Sequence, residues 1–166
     1  VRIRVTDYSQ RVPRANQAAE TLRRFNPAVE VVAVGENPSE DNADRLVQGV
    51  VVVFGCAPLF EERFALNDAA MRQGKPYVDA AMYGMEGTVL LADGQGGPCL
   101  RCMTPEVPPF WKRRFPVIGA LSSMVGAIAA SAASRSNAVS SPYASTAIRS
   151  TTAARYSGSL SRADAD

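Results

Sequence analysis

The chain contains no histidine among its 166 residues and only three cysteines. Without imidazole, the Ser-His-Asp and Cys-His catalytic arrangements are excluded, and so is every metal site that depends on a histidine ligand. Three cysteines are also too few for a disulfide scaffold in a chain of this length. Whatever chemistry this chain performs does not use imidazole.

A long hydrophobic run is also lacking. The most apolar stretch, residues 117–133, is interrupted by three serines and two glycines. It falls short of the roughly 20 apolar residues that span a bilayer, and we interpret it as a buried helix. The first residues contain no apolar segment preceded by basic residues, which is the pattern of a secretory leader. We therefore expect a cytoplasmic protein that does not bind membranes.

Neither sign of charge dominates, since 18 lysines and arginines oppose 16 aspartates and glutamates. The four arginines and two aspartates of residues 132–166 account for the whole net charge of +2. The nearest thing to a basic cluster is Lys112–Arg114, which we interpret as solvated loop charge, with a phosphate-binding patch as the alternative. The charge pattern predicts no nucleic-acid partner.

Large apolar side chains are scarce in residues 132–166, where nine alanines and nine serines accompany only Val139, Ile148 and Leu160 as large aliphatic residues. Ordering this segment would cost backbone entropy that burial does not offset. The composition therefore predicts a packed domain at residues 1–131 and a disordered Ser/Ala-rich tail at residues 132–166.

Strand-like and helix-like patterns alternate along the rest of the chain. Val1, Ile3 and Val5 alternate with polar residues, which predicts a short edge strand with one solvated face. Residues 50–55 are apolar without alternation, which is typical of a central strand covered on both faces by helices. Further strands are predicted at residues 29–34, 76–82 and 86–93, and helices at residues 13–25, 39–46, the latter capped by Ser39, and 59–73.

This order of elements predicts an α/β fold with a mostly parallel sheet flanked by helices. In such sheets, ligands bind beyond the carboxyl ends of the strands. The loops that begin at Gly35, Gly55 and Ala80 are therefore the predicted ligand side of the molecule.

Five segments carry a family resemblance, in order, from Ala15 to Ala130. They are "ANQAAETLRRFNPAVEV", "CAPLFEERFALN", "KPYVDAAMYGMEGTV", "PCLRC" and "FPVIGALSSMVGAIAA". Together they resemble the ThiF/MoeB/HesA group of adenylating enzymes, which are related to ubiquitin-activating enzymes. Within the second segment, Cys56, Arg63 and Asn67 keep the spacing of that group's signature.

The resemblance implies a Rossmann-like fold, of which residues 1–131 form an incomplete part, and an enzyme that uses ATP and magnesium. The implied reaction adenylates the C-terminal carboxylate of a ubiquitin-like or sulfur-carrier protein and releases pyrophosphate, and the implied assembly is a homodimer. By position, Asp7 is the candidate ribose ligand and Cys56 lies in the nucleotide-side loop. Arg14 is either a phosphate ligand or a surface charge at a helix start. Asp79, at the end of a predicted strand, is a further candidate that is particular to this branch of the family.

The sequence departs from the family pattern where ATP and magnesium would be held. Pro58 stands at the position of the aspartate that follows the signature cysteine by two residues, and proline is not a ligand. Glu61 and Glu62 are alternative carboxylates, or simply exposed acids at a helix start. The glycine-rich nucleotide loop and an Asn-Leu-x-Arg-Gln segment have no counterpart here. We therefore expect a weakened enzyme or a catalytically silent binding or dimerisation module, and a truncated or frame-shifted product would explain these departures.

Cys99 and Cys102 match the family's Pro-Cys-x-x-Cys, which is half of a structural zinc site. The second cysteine pair of such a site is not found in this sequence, and structural zinc needs four ligands. Three interpretations stay open: an incomplete or relic half-site, a metal site completed by another chain, and a redox pair. The last is disfavoured because Pro105, Pro108 and Pro109 follow, which predicts no helix start to lower a thiol pKa.

Overall fold

The computed structural model describes residues 2–6, 14–109, 116 and 118–136, and at residues 2–6 and 14 it describes the backbone alone. Over these residues the chain forms five strands and five helices. In order, they are β1 (Arg2–Thr6), α1 (Arg14–Phe25), β2 (Glu30–Val34), α2 (Ala43–Val47), β3 (Val53–Gly55), α3 (Phe60–Arg72), β4 (Tyr77–Tyr83), β5 (Glu86–Ala92), α4 (Leu100–Met103) and α5 (Gly119–Ser134). The predicted α/β class is confirmed.

The strands form two sheets. β1 and β2 are parallel and are joined by α1, and β3 and β4 are parallel and are joined by α3. β5 pairs antiparallel with β4, because a tight turn with Gly84 at φ +60° returns the chain directly. A parallel strand would have required a crossover connection. The described sheets are therefore mixed, with parallel pairing wherever a helix joins two strands.

The prediction of a central strand at residues 50–55 is wrong for the described part of the chain. β3 has only three residues and pairs there with β4 alone, and Phe54 is 41% exposed. The middle position of the three-stranded sheet belongs to β4. The apolar run is longer than the strand, because residues 50–52 precede β3 and Val51 is 57% exposed.

β4 is covered on both faces, and its alternation separates two cores. Tyr77 belongs to a cluster built mainly with α2 and α3, whereas Val78 and Ala80 pack against Val125 and Ala129 of α5. Because neighbouring side chains of a strand point to opposite faces, Asp79 lies on the α3 face with Tyr77. The identity of each β4 residue thus decides which helix it contacts.

Two helices differ from their predictions at the ends. α2 begins at Ala43 with Asn42 as its N-cap, so Ser39, the predicted cap, lies one turn before the observed start. α5 continues to Ser134, three residues beyond Ser131, where the packed domain was predicted to end, and Ala133 is buried. Its opposite face is open, with Met124 60% and Ile128 52% exposed, so the helix is only partly buried. Residues 137–166 of the predicted tail lie outside the described residues.

Across the described ranges, no helix has both the length and the apolar character that crossing a bilayer requires.

Candidate functional site

The carboxyl end of β3 is shaped by a close approach of Tyr77. Gly55, the last residue of β3, is paired with Asp79 of β4 in the parallel register. A Cβ atom added at Gly55 would lie 1.8 Å from the Tyr77 hydroxyl oxygen. Only glycine leaves that space, so the Tyr77 ring lies against the strand end and its hydroxyl reaches the neighbouring polar groups.

Arg63 of α3 and Asp79 of β4 form a buried ion pair. Arg63 Nε donates to Asp79 Oδ1 at 2.8 Å, and a terminal guanidinium nitrogen donates to Oδ2. Each side chain is only 3% exposed. The Tyr77 hydroxyl oxygen lies 3.1 Å from both Asp79 Oδ1 and the Arg63 carbonyl oxygen, and the guanidinium carbon lies 4.2 Å from the Phe60 ring centre. Bidentate pairing and the ring contact offset part of the cost of burying two charges.

Cys56 follows β3 directly, and the charges of Arg63 and Asp79 affect the pKa of its thiol. Desolvation raises the pKa of the Cys56 thiol, the Asp79 carboxylate raises it further, and the Arg63 guanidinium opposes both. Burial raises the pKa of the Tyr77 hydroxyl as well, and the Asp79 charge adds to the effect. At neutral pH, Cys56 is therefore a protonated, weakly nucleophilic thiol on an exposed residue.

The second thiol region is the turn at Cys99–Cys102, which α3 also holds. The two sulfur atoms lie 3.9 Å apart. Asn67, which is 1% exposed, accepts a hydrogen bond from the Leu100 amide at 3.0 Å through Oδ1 and reaches Cys99 Sγ at 3.6 Å through Nδ2. Arg101 adds an ion pair to Asp68, in which Nε and a terminal guanidinium nitrogen both donate to Oδ2, at 2.9 and 2.7 Å, and Nε also lies 3.2 Å from Oδ1. The turn is thus attached to α3 through two consecutive side chains.

These contacts favour ionisation of the Cys99 thiol. Partial burial opposes ionisation, but hydrogen bonds from Asn67 and from the Cys102 and Arg101 backbone amides lower the pKa of the Cys99 thiol. The expectation that no helix begins at this pair is wrong, since α4 starts at Leu100 with Cys99 as its N-cap. The prolines limit α4 to four residues, and they do not prevent it from forming.

The cysteine turn does not by itself fit a structural zinc ion. Within the ranges that the structure describes, no three or more aspartate, glutamate or cysteine residues converge as a metal site would require. Two sulfur donors fill half of the four positions that structural zinc requires. These residues alone do not support a zinc site.

A groove of about 1070 Å³ lies elsewhere, between α1 and β2. It is open to solvent and is lined by residues such as Asn16, Glu20 and Arg23. None of the cysteines, Asp79 or Arg63 lines it. The groove is therefore separate from both thiol regions.

Comparison with known proteins decides the family. The ThiF family model matches residues 3–162, which is most of the chain and runs past Ser131, the predicted domain end. The chain belongs to the ThiF family. It is 44% identical to protein HesA of Leptolyngbya boryana over 119 residues, which are 71% of this chain and 43% of that protein.

Two further relatives carry more explicit names. The chain is 42% identical over 96 residues to the adenylyltransferase and sulfurtransferase MOCS3 of Mus musculus, covering 58% of this chain and 21% of that protein. It is 39% identical over 98 residues to the SAMP-activating enzyme E1 of Haloferax volcanii, covering 58% and 35%. The chain thus spans less than half the length of each of these curated relatives.

A solved structure shares the fold. The crystal structure of selenomethionine PaaA matches with a TM-score of 0.56 and 13% identity, over 80% of this chain and 47% of that one. At this identity the match concerns the fold alone, and it agrees with the Rossmann-like α/β architecture that was predicted.

With the ThiF family established, the predicted site residues can be placed. Cys56 follows Gly55, which is paired with Asp79, but Asp79 lies within β4 and not at the end of a strand as predicted. A nucleotide-binding role for Cys56 and Asp79 stays a prediction. Arg14 is the first residue of α1, and its side chain is not described; Asp7 lies outside the described residues. Both stay predictions as nucleotide ligands.

The structure also shows which residues organise the site. Arg63 and Asn67, which the family signature marks by spacing, hold the two thiol regions from successive turns of α3. The role of Tyr77 was not predicted. The one signal for it in the sequence is Gly55 at the end of β3, because a residue without a side chain allows a close contact. The site residues are therefore better described as an α3 scaffold than as a set of ligands.

The carboxylates near Cys56 do not fit a magnesium ion. Asp79 has both oxygens paired with Arg63, and Pro58 occupies the position of the family's aspartate. Glu61 is exposed, but Glu62 is 6% exposed and is therefore not the surface acid that its position predicted. Among the described residues, no three carboxylate or thiol groups converge as ligands of a metal ion.

Proposed function

We propose that this chain takes part in the ATP-dependent adenylation of the C-terminal carboxylate of a ubiquitin-like or sulfur-carrier protein. Membership of the ThiF family supports this proposal, and so do the names of two relatives, an adenylyltransferase and an activating enzyme E1. In this reaction the carboxylate attacks the α-phosphate of ATP, forms an acyl-adenylate and releases pyrophosphate. The chain contributes part of the adenylation domain.

The buried ion pair beneath the Cys56 loop is the observation that supports the proposal at the level of residues. The buried Arg63–Asp79 pair and the Tyr77 hydroxyl fix the strand end from which the Cys56 loop begins. Adenylation depends chiefly on positioning and on charges held in place, so a rigid loop base is what this chemistry needs. We infer that the pair is a positioning device for the loop and makes no direct contact with the substrate.

A second function, a catalytically silent module that binds the carrier protein or a second copy of the chain, is favoured by Pro58. This residue removes the loop carboxylate, and Asp79 does not replace it because Arg63 already engages both of its oxygens. We propose that the isolated chain retains the binding face of the family and does not catalyse adenylation on its own.

The test separates binding from catalysis. The purified chain is titrated with sulfur-carrier and ubiquitin-like proteins in intact form and with their C-terminal residues removed, and ATP–pyrophosphate exchange is measured in the presence of Mg²⁺. We expect binding that depends on the intact carrier C-terminus, and no exchange. Failure to bind any carrier would overturn the adenylation role, and exchange that disappears in Arg14→Ala would overturn the silent module.

Pro58 offers a matched pair of variants for the same assay. Pro58→Asp restores a carboxylate to the loop, whereas Pro58→Asn introduces a side chain of the same size without the charge. We expect Pro58→Asp, and not Pro58→Asn, to gain Mg²⁺-dependent retention of ATP. Equal behaviour of the two variants would show that the loop carboxylate is not the missing element.

A further inference from the structure

The Cys99–Cys102 turn holds two thiols in contact with each other. Among the described residues, no further metal-ligating group converges on them. The sulfur atoms are 3.9 Å apart, and a disulfide bond is about 2.05 Å long, so they need to approach by about 1.9 Å. Cys102 is exposed and Cys99 is half-buried, so a small reagent reaches the pair from solvent. The turn is thus accessible to solvent, and its two sulfur atoms are close to the distance at which a disulfide bond forms.

We propose that Cys99 and Cys102 are a reversible dithiol–disulfide couple, which a low-molecular-weight disulfide such as glutathione disulfide oxidises. This site is independent of the proposed adenylation function, because neither ATP nor a carrier protein takes part. Soft-metal binding is the competing use of two thiols, and among the described residues no third donor completes such a site.

Oxidation proceeds by two exchange steps. The Cys99 thiolate attacks one sulfur of glutathione disulfide, forms a mixed disulfide and expels one glutathione thiolate. The Cys102 thiolate then attacks the Cys99 sulfur, forms the internal disulfide and expels the second glutathione thiolate. The protein gives up two electrons and two protons; the electrons reduce glutathione disulfide, and the protons convert the two thiolates to glutathione.

Asn67 is the positioning residue of this couple. Its Oδ1 accepts the Leu100 amide hydrogen, which fixes the side-chain amide and directs Nδ2 toward Cys99 Sγ. With an exposure of 1%, Asn67 is held in place by the packing around it. A thiolate accepts this hydrogen bond better than a disulfide sulfur does, so Asn67 stabilises the reduced form.

The oxidation test uses the full chain with Cys56→Ser, which leaves only the two thiols of the turn. After incubation with glutathione disulfide, intact mass should fall by two hydrogens with no glutathione attached, and dithiothreitol should restore it. Adding Cys102→Ser should leave one glutathione on Cys99, because the resolving thiol is gone. A persistent adduct when both thiols are present, an unchanged mass, or purified protein carrying one zinc ion on this pair would overturn the couple.

The Asn67 test measures the equilibrium with reduced and oxidised glutathione. We expect Asn67→Ala and Asn67→Ser to shift the couple toward the disulfide by roughly tenfold or more, the scale of one lost hydrogen bond to a charged group. Arg72→Ala, on the exposed surface of the same helix, should leave the equilibrium unchanged. An unchanged equilibrium in both folded Asn67 variants would remove the positioning role.

Discussion

The two thiol regions contact the same helix and yet have opposite electrostatic surroundings. At the end of β3, Cys56 lies near the Asp79 carboxylate, and its pKa is raised by desolvation and by that charge. At the turn, Cys99 accepts hydrogen bonds from Asn67 and from backbone amides, and its pKa is lowered despite partial burial. One helix therefore supports two thiols of different reactivity. Near Cys56, the charge of Arg63 is already paired with Asp79. Near Cys99, the side-chain amide of Asn67 reaches the sulfur atom.

The largest expected effect comes from breaking the pair beneath the Cys56 loop. Asp79→Ala leaves the Arg63 charge buried without its carboxylate, and we expect a loss of about 3–5 kcal/mol in the free energy of unfolding. Urea denaturation followed by circular dichroism measures this. Asp44→Ala, which removes an exposed pair with Arg72, is the control and should change little. A loss as small as that of the control would mean that the buried pair does not support the fold.

The strand end beside Cys56 should be nearly as sensitive. Gly55→Ala places a Cβ atom on the Tyr77 hydroxyl, and the forced shift should cost about 1–3 kcal/mol. Gly35→Ala is the matched control, because nothing lies within 4 Å of its added Cβ. The same denaturation experiment compares them, and equal stability of the two variants would contradict the close approach.

The comparison of the thiols themselves is tested by alkylation. In the reduced protein at neutral pH, we expect iodoacetamide to modify Cys99 faster than Cys56, although Cys56 is the more exposed residue. A lowered pKa gives more thiolate at a given pH, so the difference should narrow as pH rises and Cys56 ionises. Peptide mapping over a pH series measures both rates. Faster reaction at Cys56 at neutral pH would reverse the comparison.

The smallest effect is expected at the rim of the turn. Asp68→Asn removes the charge partner of Arg101, and with side chains 29% and 41% exposed the pair should contribute about 0.5 kcal/mol. Partial burial of Asp68 opposes its ionisation, but hydrogen bonds from Arg101 and Asn67 hold the pKa of Asp68 below its usual value. Its contribution is therefore complete above the unfolded pKa of about 3.9 and is lost as pH falls through the folded pKa. Denaturation of both proteins across that range should show their difference vanish in acid.

The fold was predictable where one segment carries its own signal. Helix α3 was predicted at residues 59–73 and is observed at Phe60–Arg72, and Gly74, at φ +62°, marks its end. The coverage of β4 on both faces was not predictable, since its mostly small and apolar residues do not distinguish the α3 face from the α5 face. The four residues of α4 are too few to show a period.

The candidate site was predictable only in part, for a different reason. The spacing of Cys56, Arg63 and Asn67 identified the family signature, but it did not show what each side chain contacts. Arg63 is 16 positions from Asp79, and Asn67 is 33 from Leu100, on separate elements in both cases. Such pairs depend on how the elements pack, which a pattern along a single segment does not contain.

The convergence of both thiol regions on α3 also has a consequence for local unfolding. The Arg63, Asn67 and Asp68 contacts all originate from thirteen residues of one helix, so an opening of α3 releases the Cys56 loop and the Cys99 turn in the same event. Segments that open together exchange their amide hydrogens with a common free energy. The amides of residues 55–57 and 100–103 that are slowed by these contacts should therefore share an upper limit of protection, set by the opening of α3.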